Sequence, residues 1–473
     1  MDHDTPSSSS AFNKLPIELN KTIVHFVGTD RDIANFRRIC RATNHAVDGD
    51  HLSFWRAAYR EKYVLLPGRS NKELKYQYQR RSKYLRRGTS YDFVRGHGGI
   101  EKRILGILKD LINESFKGTA VFDEQGRPQC LNQLVIQKFV MDSRLLLNSK
   151  RPKAPKSNEP NYVSPSLAAV KLMCSQFLFN PDADIPHGVV AIEESQQAVY
   201  APTNLAPIFV GPKKNEVNME WVLHCLNFFR YYMMNPDASA LYDNLAEEAL
   251  SQRPTPWEGP LKSGSYPLGN CWKGTYAYLD HKTLDKLRER SANPSSKKAH
   301  DGEFMFEDLN IDEGKIQSLH LNFVDEESLN WPDDVEAKVH SKRETIIPTT
   351  RAQHSKKSST DDIATKNIGI KGWGEDLQDH FYATGFLNPL PDQCDILGWQ
   401  RITLMKHFEE DLSDHDGDNL WAYEGVVLPG GKIILGRWYY ASEDENDYSG
   451  PFILWQVEPE PELVDDSEDD NES

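Results

Sequence analysis

Between Leu15 and Trp55 the chain reads LPIELNKTIVHFVGTDRDIANFRRICRATNHAVDGDHLSFW, a series of short apolar periods each closed by turn residues. Leu19, Ile23, Val24 and Val27 recur at three-to-four spacing and so share one face of a helix. Pro16 suits its first turn, where a missing N–H has no intrahelical use, and Glu18 there meets the positive end of the helix dipole. Gly28 stops it. Thr29 or Asp30 can cap a second helix carrying Ile33, Phe36, Ile39 and Cys40. A third cluster, Phe54, Trp55, Ala58 and Tyr59, follows the break at Asp48-Gly49-Asp50. Three helices this short bury too little surface to stand comfortably alone, so an apolar face is expected to remain for a partner.

The helical period continues to about Leu250. Ile104, Ile107, Leu108, Leu111 and Ile112 mark a helix over Ile100–Phe116, and similar patterns run over Leu131–Leu147 and Leu167–Phe179. Between the last two lies a proline-rich loop, Lys150–Pro165. Asn218–Met234, NMEWVLHCLNFFRYYMM, is the densest helix, and its aromatics, with His224 and Cys225, are read as core. From Pro254 onward the period drops to two and Gly appears at the turns. Strands are expected within Leu268–Tyr278, Phe304–Leu309, Ile316–Val324, Gly369–Gly374, His380–Phe386, Gly398–Lys406, Leu420–Val427, Lys432–Tyr440 and Pro451–Val457. Many short strands with aromatics at their ends imply an antiparallel barrel or sandwich. The spacing of Trp272, Gly274 and Tyr276 resembles the opening strand of lipocalin-like barrels. The fold class is therefore α+β: an N-terminal three-helix module, a helical middle and a C-terminal antiparallel β barrel or sandwich.

Composition refines the boundaries. Residues 1–11 are serine-rich and acidic without an apolar core, so no secretory signal is read there and disorder is expected. The module spans 12–63, the helical region 64–253 and the β domain 254–457. Polar insertions near 288–301 and 341–367 and the acidic tail 458–473 carry no apolar period and are expected to be disordered. Six widely spaced cysteines with no CxxC pair point to reduced thiols and to cytoplasm or nucleus. No run reaches the roughly 18 apolar residues a membrane helix needs. Net charge is −16, against which the basic stretch Lys72–Arg87, with Tyr76, Tyr78 and Tyr84 interleaved, is read as a helix with its tyrosines inward rather than a nucleic-acid surface.

Leu15-Pro16-x-Glu18-Leu19, Ile23, Val27, Ile33, Phe36, Ile39-Cys40-Arg41 and the Phe54-Trp55 pair together resemble an F-box, with Thr43 standing where that family often has Trp. The block LWAYEGVVLPGGKIILGRWYY is similar to the C-terminal region of many fungal F-box proteins. The resemblance implies a substrate-recognition subunit of an SCF-type cullin-RING ubiquitin ligase. Its partners would be a Skp-family adaptor, through it a cullin, and a target protein. Leu15, Pro16, Leu19, Ile23, Val27, Ile33, Phe36, Ile39 and Cys40 would then supply the adaptor contact, with Glu18 and Arg37 at its rim.

Catalytic signatures are absent from the sequence. There is no GxSxG, HExxH or dinucleotide fingerprint. His407–Asp418 places Asp414, Asp416 and Gly417 in calcium-loop order, but two ligand positions fall on Leu412 and Tyr423. Gly430-Gly431-Lys432 lacks the upstream glycine and following hydroxyl of a P-loop. Glu375, Asp376, Asp379 and His380 form an acidic loop read as solvated. No metal, cofactor or catalytic residue is expected, and the chain is read as a non-catalytic adaptor. The alternative is a ligand-binding or hydrolytic barrel with structural N-terminal helices. For either, the β domain's target or ligand surface is expected around Trp272, Tyr276, Trp373, Trp399, Trp421 and Trp438, most of them filling core.

Overall fold

The computed structural model describes residues 11–117, 121–122, 126, 128–146, 163–179, 191–237, 240–292, 315–329, 331–339, 366–377, 379–410, 412, 419–441 and 448–459. The expected N-terminal disorder before Ala11, the strand over Phe304–Leu309, the insertions at 293–301 and 341–365, the calcium-like residues 413–418 and the tail from 460 lie outside them.

The N-terminal module contains four α-helices rather than three: α1 (Ile17–His25), α2 (Asp30–Phe36), α3 (Arg41–Asp48) and α4 (Ser53–Lys62). Thr29 caps α2, its hydroxyl accepting from the Asp32 amide. The extra helix arises at Cys40, whose amide donates to the Thr43 hydroxyl at 3.0 Å while that hydroxyl donates back to the Cys40 carbonyl at 2.9 Å. Thr43 is fully buried, so it works as a helix-start residue. Asp48 at the end of α3 ties the module together. It accepts from Trp55 at 3.0 Å and pairs with Arg37 and Lys75 at 3.1 and 2.7 Å.

The middle is helical, as the periodicity implies: α5 (Asn71–Gly88), α6 (Gly99–Glu114), α7 (Leu131–Asp142), α8 (Pro165–Ser175), α9 (Ile192–Val199), α10 (Met219–Met234) and α11 (Ala240–Glu247). Two-residue ladders β1 (Val121–Phe122) with β2 (Pro128–Gln129) and β3 (Phe209–Val210) with β4 (Glu216–Val217) join them. On α5 the tyrosines divide: Tyr78 is buried, Tyr84 half-buried, and Tyr76 points to solvent. Buried Arg81 of α5 reaches Glu114 and the Tyr59 hydroxyl at 2.6 and 2.8 Å.

The β region closes into a barrel of eight antiparallel strands. They are β5 (Cys271–Tyr276), β6 (Gln317–Asp325), β7 (Ile368–Asp376), β8 (Asp379–Pro389), β9 (Gln400–His407), β10 (Trp421–Val427), β11 (Ile433–Tyr440) and β12 (Ser449–Gln456). Each pairs with the next in sequence and β12 returns to β5, so the sheet has no free edge. The first polar insertion departs from expectation at its start: α12 (His281–Ala292) covers 288–292 because Leu284 and Leu287, one turn apart, are both buried.

Two cores meet at the barrel wall. The interior is filled by alternate residues, among them Trp272, Phe381, Tyr423, Trp438 and Phe452. Gly425 and Gly436 sit opposite each other, and a Cβ on Gly436 would lie 2.5 Å from the Phe452 ring, so the bare pair makes room for that ring. The outer face of β10–β12, through Val426, Ile433, Leu435, Ile453 and Trp455, joins one continuous core with the helices, including Val24 and Phe36 of the N-terminal module. Arg437 fixes that contact, donating to Thr203 at 2.6 Å and to the Val199 and Ala206 carbonyls.

Candidate functional site

The residues nominated by sequence divide between three surfaces and the core. The first is the outer side of α1. Leu19 is 50% exposed and Phe26 86% exposed, with half-buried Ile23 between them at helical spacing. Leu15 and Val27 are half-buried, Pro16 and Glu18 exposed. Ile39, in the turn after α2, is 50% exposed. Arg37 and Cys40 are half-buried, the former in its pair with Asp48. Ile33 and Phe36, at 8% and 6% exposure, belong to the core, and Phe36 packs edge-on against Phe12 at 5.3 Å. The apolar side chains this surface offers to solvent are therefore Leu19, Phe26 and Ile39, with Ile23 partly exposed between the first two, whereas Ile33 and Phe36 are withdrawn into the core.

The reason lies in Asn20. It is completely buried, and its amide donates to the Phe12 and Leu15 carbonyls at 3.1 and 3.4 Å, which turns Val24 inward and Leu19 outward. Phe26 is the residue that sequence reasoning passed over. Its i, i+7 relation to Leu19 is the signal that could have found it.

The second surface is the barrel end where β5 finishes and β10 begins. Here Tyr276 lies 5.6 Å from Trp438, Trp438 lies 5.6 Å from Trp421, and Trp421 lies 4.8 Å from Tyr440. Tyr278 and Tyr448 stack nearby, 6.2 Å apart. Beneath the rings the Lys406 ammonium sits 4.2 Å from the centre of Phe381 and pairs with Asp376 at 2.5 Å. Of the acidic loop, Asp376 thus turns into the barrel, whereas Glu375 and His380 meet at 3.6 Å in solvent.

Trp272, Trp399 and Trp373 do not share this rim. Trp272 is buried within the barrel, donating to the Gly269 carbonyl at 2.7 Å. Trp399 is buried in the core shared with the helices. Trp373 stands on the third surface, the outer wall, half exposed beside His320.

A hydroxyl–imidazole pair also exists. The Ser195 Oγ lies 3.1 Å from His224 Nδ1 and accepts from the Asn227 amide at 2.8 Å. Burial pushes the His224 pKa down to about 4, so the ring is neutral at pH 7 and has the right form for a base. Ser195, however, has no exposed surface, so nothing from solvent reaches its oxygen. The pair is structural. Among the described residues no cluster of three or more His, Cys, Asp or Glu is arranged to hold a metal, and no helix is long and apolar enough to cross a membrane. Gly430-Gly431-Lys432 forms the β10–β11 turn, with Lys432 3.5 Å from Glu258.

Comparison with family models, curated proteins and solved structures finds no match for this chain.

Proposed function

We propose that the chain is a docking subunit: α1 and the α2–α3 turn bind a Skp-family adaptor of a cullin-type ubiquitin ligase, and the barrel body presents a target. The carrying observation is the apolar stripe Leu19–Ile23–Phe26, with Leu19 and Phe26 exposed, on a module whose buried side chains, Val24, Ile33, Phe36 and Phe54 among them, belong to the core shared with the body. The F-box resemblance of Leu15–Trp55 supports the same reading. In it the chain performs no chemical step and acts by proximity, raising the effective concentration of a target lysine beside the ligase's charged partner.

The test is capture of the full chain by a purified Skp-type adaptor, beside Leu19→Asp and Phe26→Asp. Both positions are exposed, so each variant should melt within about 0.5 kcal/mol of the native chain. Each should weaken capture at least tenfold, since a central apolar anchor contributes on the order of 2 kcal/mol. Failure of the folded native chain to be captured, or capture indifferent to both variants, overturns the proposal. In that event the aromatic cluster above Lys406 and Asp376 favours the other reading, a barrel that takes a ligand at that end.

A further inference from the structure

The outer face of β5–β9 carries one continuous cross-strand row. Register sets Cys271 beside His320, His320 beside Trp373, Trp373 beside Tyr382 and Tyr382 beside His407. The His320 and Trp373 rings lie nearly parallel, 5.4 Å apart at 20°, and Tyr382 and His407 lie 6.0 Å apart at 24°. Thr384 and His407 are joined at 3.1 Å, which helps to fix the end of the row. On β10–β12 the outer wall is covered by helices and by the segments that Arg437 binds, but Trp373 is 51% exposed. Above it lies an open cavity of about 620 Å³ lined by Trp373, Tyr382, Asn322, Lys371, Thr384, Glu409 and Glu410.

We propose that this cavity binds a neutral saccharide, one pyranose face lying on the Trp373 indole and the ring hydroxyls bonded by the polar groups around it. The volume suits a small ligand. The charges around the cavity have opposite signs. Glu409 and Glu410 oppose a phosphate or sulfate, and Lys371 opposes a polycation. A hydroxyl both donates and accepts, so it uses the carboxylates, the ammonium, the Asn322 amide and the Thr384 hydroxyl together. An aromatic face held rigid by a stacked neighbour supplies the apolar half of such a site at little entropic cost. Other ligand classes fit less well. A chain with net charge −16 is a poor match for nucleic acid. A closed barrel offers no edge on which an extended peptide could add a strand. The inference goes beyond the docking proposal and does not depend on it, because α1 takes no part in the site.

The experiment is a glycan array probed with the purified full chain, followed by titration of the best-retained saccharide against native protein, Trp373→Ala, Asn322→Ala and, as a control at the barrel rim, Trp421→Ala. Retention of neutral glycans is expected, with affinity at least tenfold lower for Trp373→Ala at an unchanged melting temperature. Asn322→Ala should weaken binding less, and Trp421→Ala should leave it unaltered. Adaptor capture by Trp373→Ala should stay at the native level, so failure of either proposal is seen separately. The assignment is overturned if no glycan is retained by the folded chain. It is equally overturned if retention requires phosphate or sulfate on every bound glycan, or survives Trp373→Ala.

Discussion

Lys171 shows how a single buried group sets a measurable pH dependence. It lies on α8, 8% exposed, and burial lowers its pKa from 10.5 to about 8, with the Glu101 carboxylate pulling the other way. Between those two values the unfolded chain holds a proton that the folded chain has released, so stability must rise with pH across that interval. Below pH 8 the folded protein carries the full cost of a charge out of water. Replacing the group, Lys171→Met, should therefore stabilise the protein at pH 7, by at most about 3 kcal/mol. It should also flatten the increase in stability between pH 8 and 9.5. Urea denaturation of both chains across that range checks the sign; a variant less stable at pH 7 with an unchanged slope contradicts it. Burial of such groups is not visible in sequence. The same holds for the exposed side of α1, where the 3.6-residue period locates the helix and its apolar positions but not which of them face solvent. Asn20 reverses the simple reading: a polar residue is buried and Leu19 exposed because two carbonyls, those of Phe12 and Leu15, wait for the amide.

Elements were legible where one rule governed them. Seven of the nine expected strands have a period of two or Gly-bounded apolar runs and fall on β6–β12, and Leu268–Tyr278 contains β5. The choice of a barrel over a sandwich is made by the β12–β5 pairing, which strand patterns do not reveal. The helices missed were short ones with few inward apolar positions, such as Leu241 and Leu245 of α11 and Leu284 and Leu287 of α12, or with a partly polar inward face. On α9 the buried positions are Ile192, Ser195, Gln196 and Val199, a helical stripe with a polar centre that hydrophobic spacing cannot detect. The helix α3 depends on Thr43, a local hydrogen-bond choice. Turns were read by composition, and Leu428-Pro-Gly-Gly431 carries a sharper constraint than composition suggests. Gly430 has φ +96°, and a Cβ there would lie 2.5 Å from the Trp257 Cβ. Both the left-handed backbone and the contact oppose any side chain. Gly430→Ala should thus destabilise the protein by about 2 kcal/mol or more, while Gly431→Ala, φ +70° with a nearest contact of 3.3 Å, should cost less. Thermal melts of the two variants give the comparison, and equal losses would show that the Trp257 contact does not matter.

At the scale of the whole molecule, the sequence suggests a boundary near residue 254 that the packing does not respect. The helices and the outer wall of the barrel share a core in which Val426, Ile433, Leu435, Ile453 and Trp455 are fully buried, and the Trp455 indole donates to the Gln252 carbonyl at 2.9 Å. Trp257 is held from the helical side as well, its indole donating to the Met173 carbonyl at 3.2 Å. Lys109 and Asn113 of α6 reach Asp395 in the β8–β9 connection, each at 2.6 Å. Exposing five such side chains at about 2 kcal/mol each forfeits about 10 kcal/mol, which is the scale of a domain's total stability. A fragment of residues 254–459 should therefore be insoluble or lack fixed near-ultraviolet tryptophan signals, although its barrel interior and its strand register are complete. Co-expression with residues 11–253 should restore both. In the intact chain, tryptophan fluorescence and far-ultraviolet circular dichroism should lose their native signals at the same denaturant concentration, because neither layer can unfold without stripping the other. Two separated transitions, or a soluble barrel fragment with native near-ultraviolet signals, would show instead that the shared wall contributes little. The exposed apolar stripe on α1 would then belong to a unit independent of the barrel. With the wall intact, the exposed α1 stripe and the barrel that carries Trp373 are joined through one continuous core, so the two proposals, if both hold, place partner and ligand on the same folded unit.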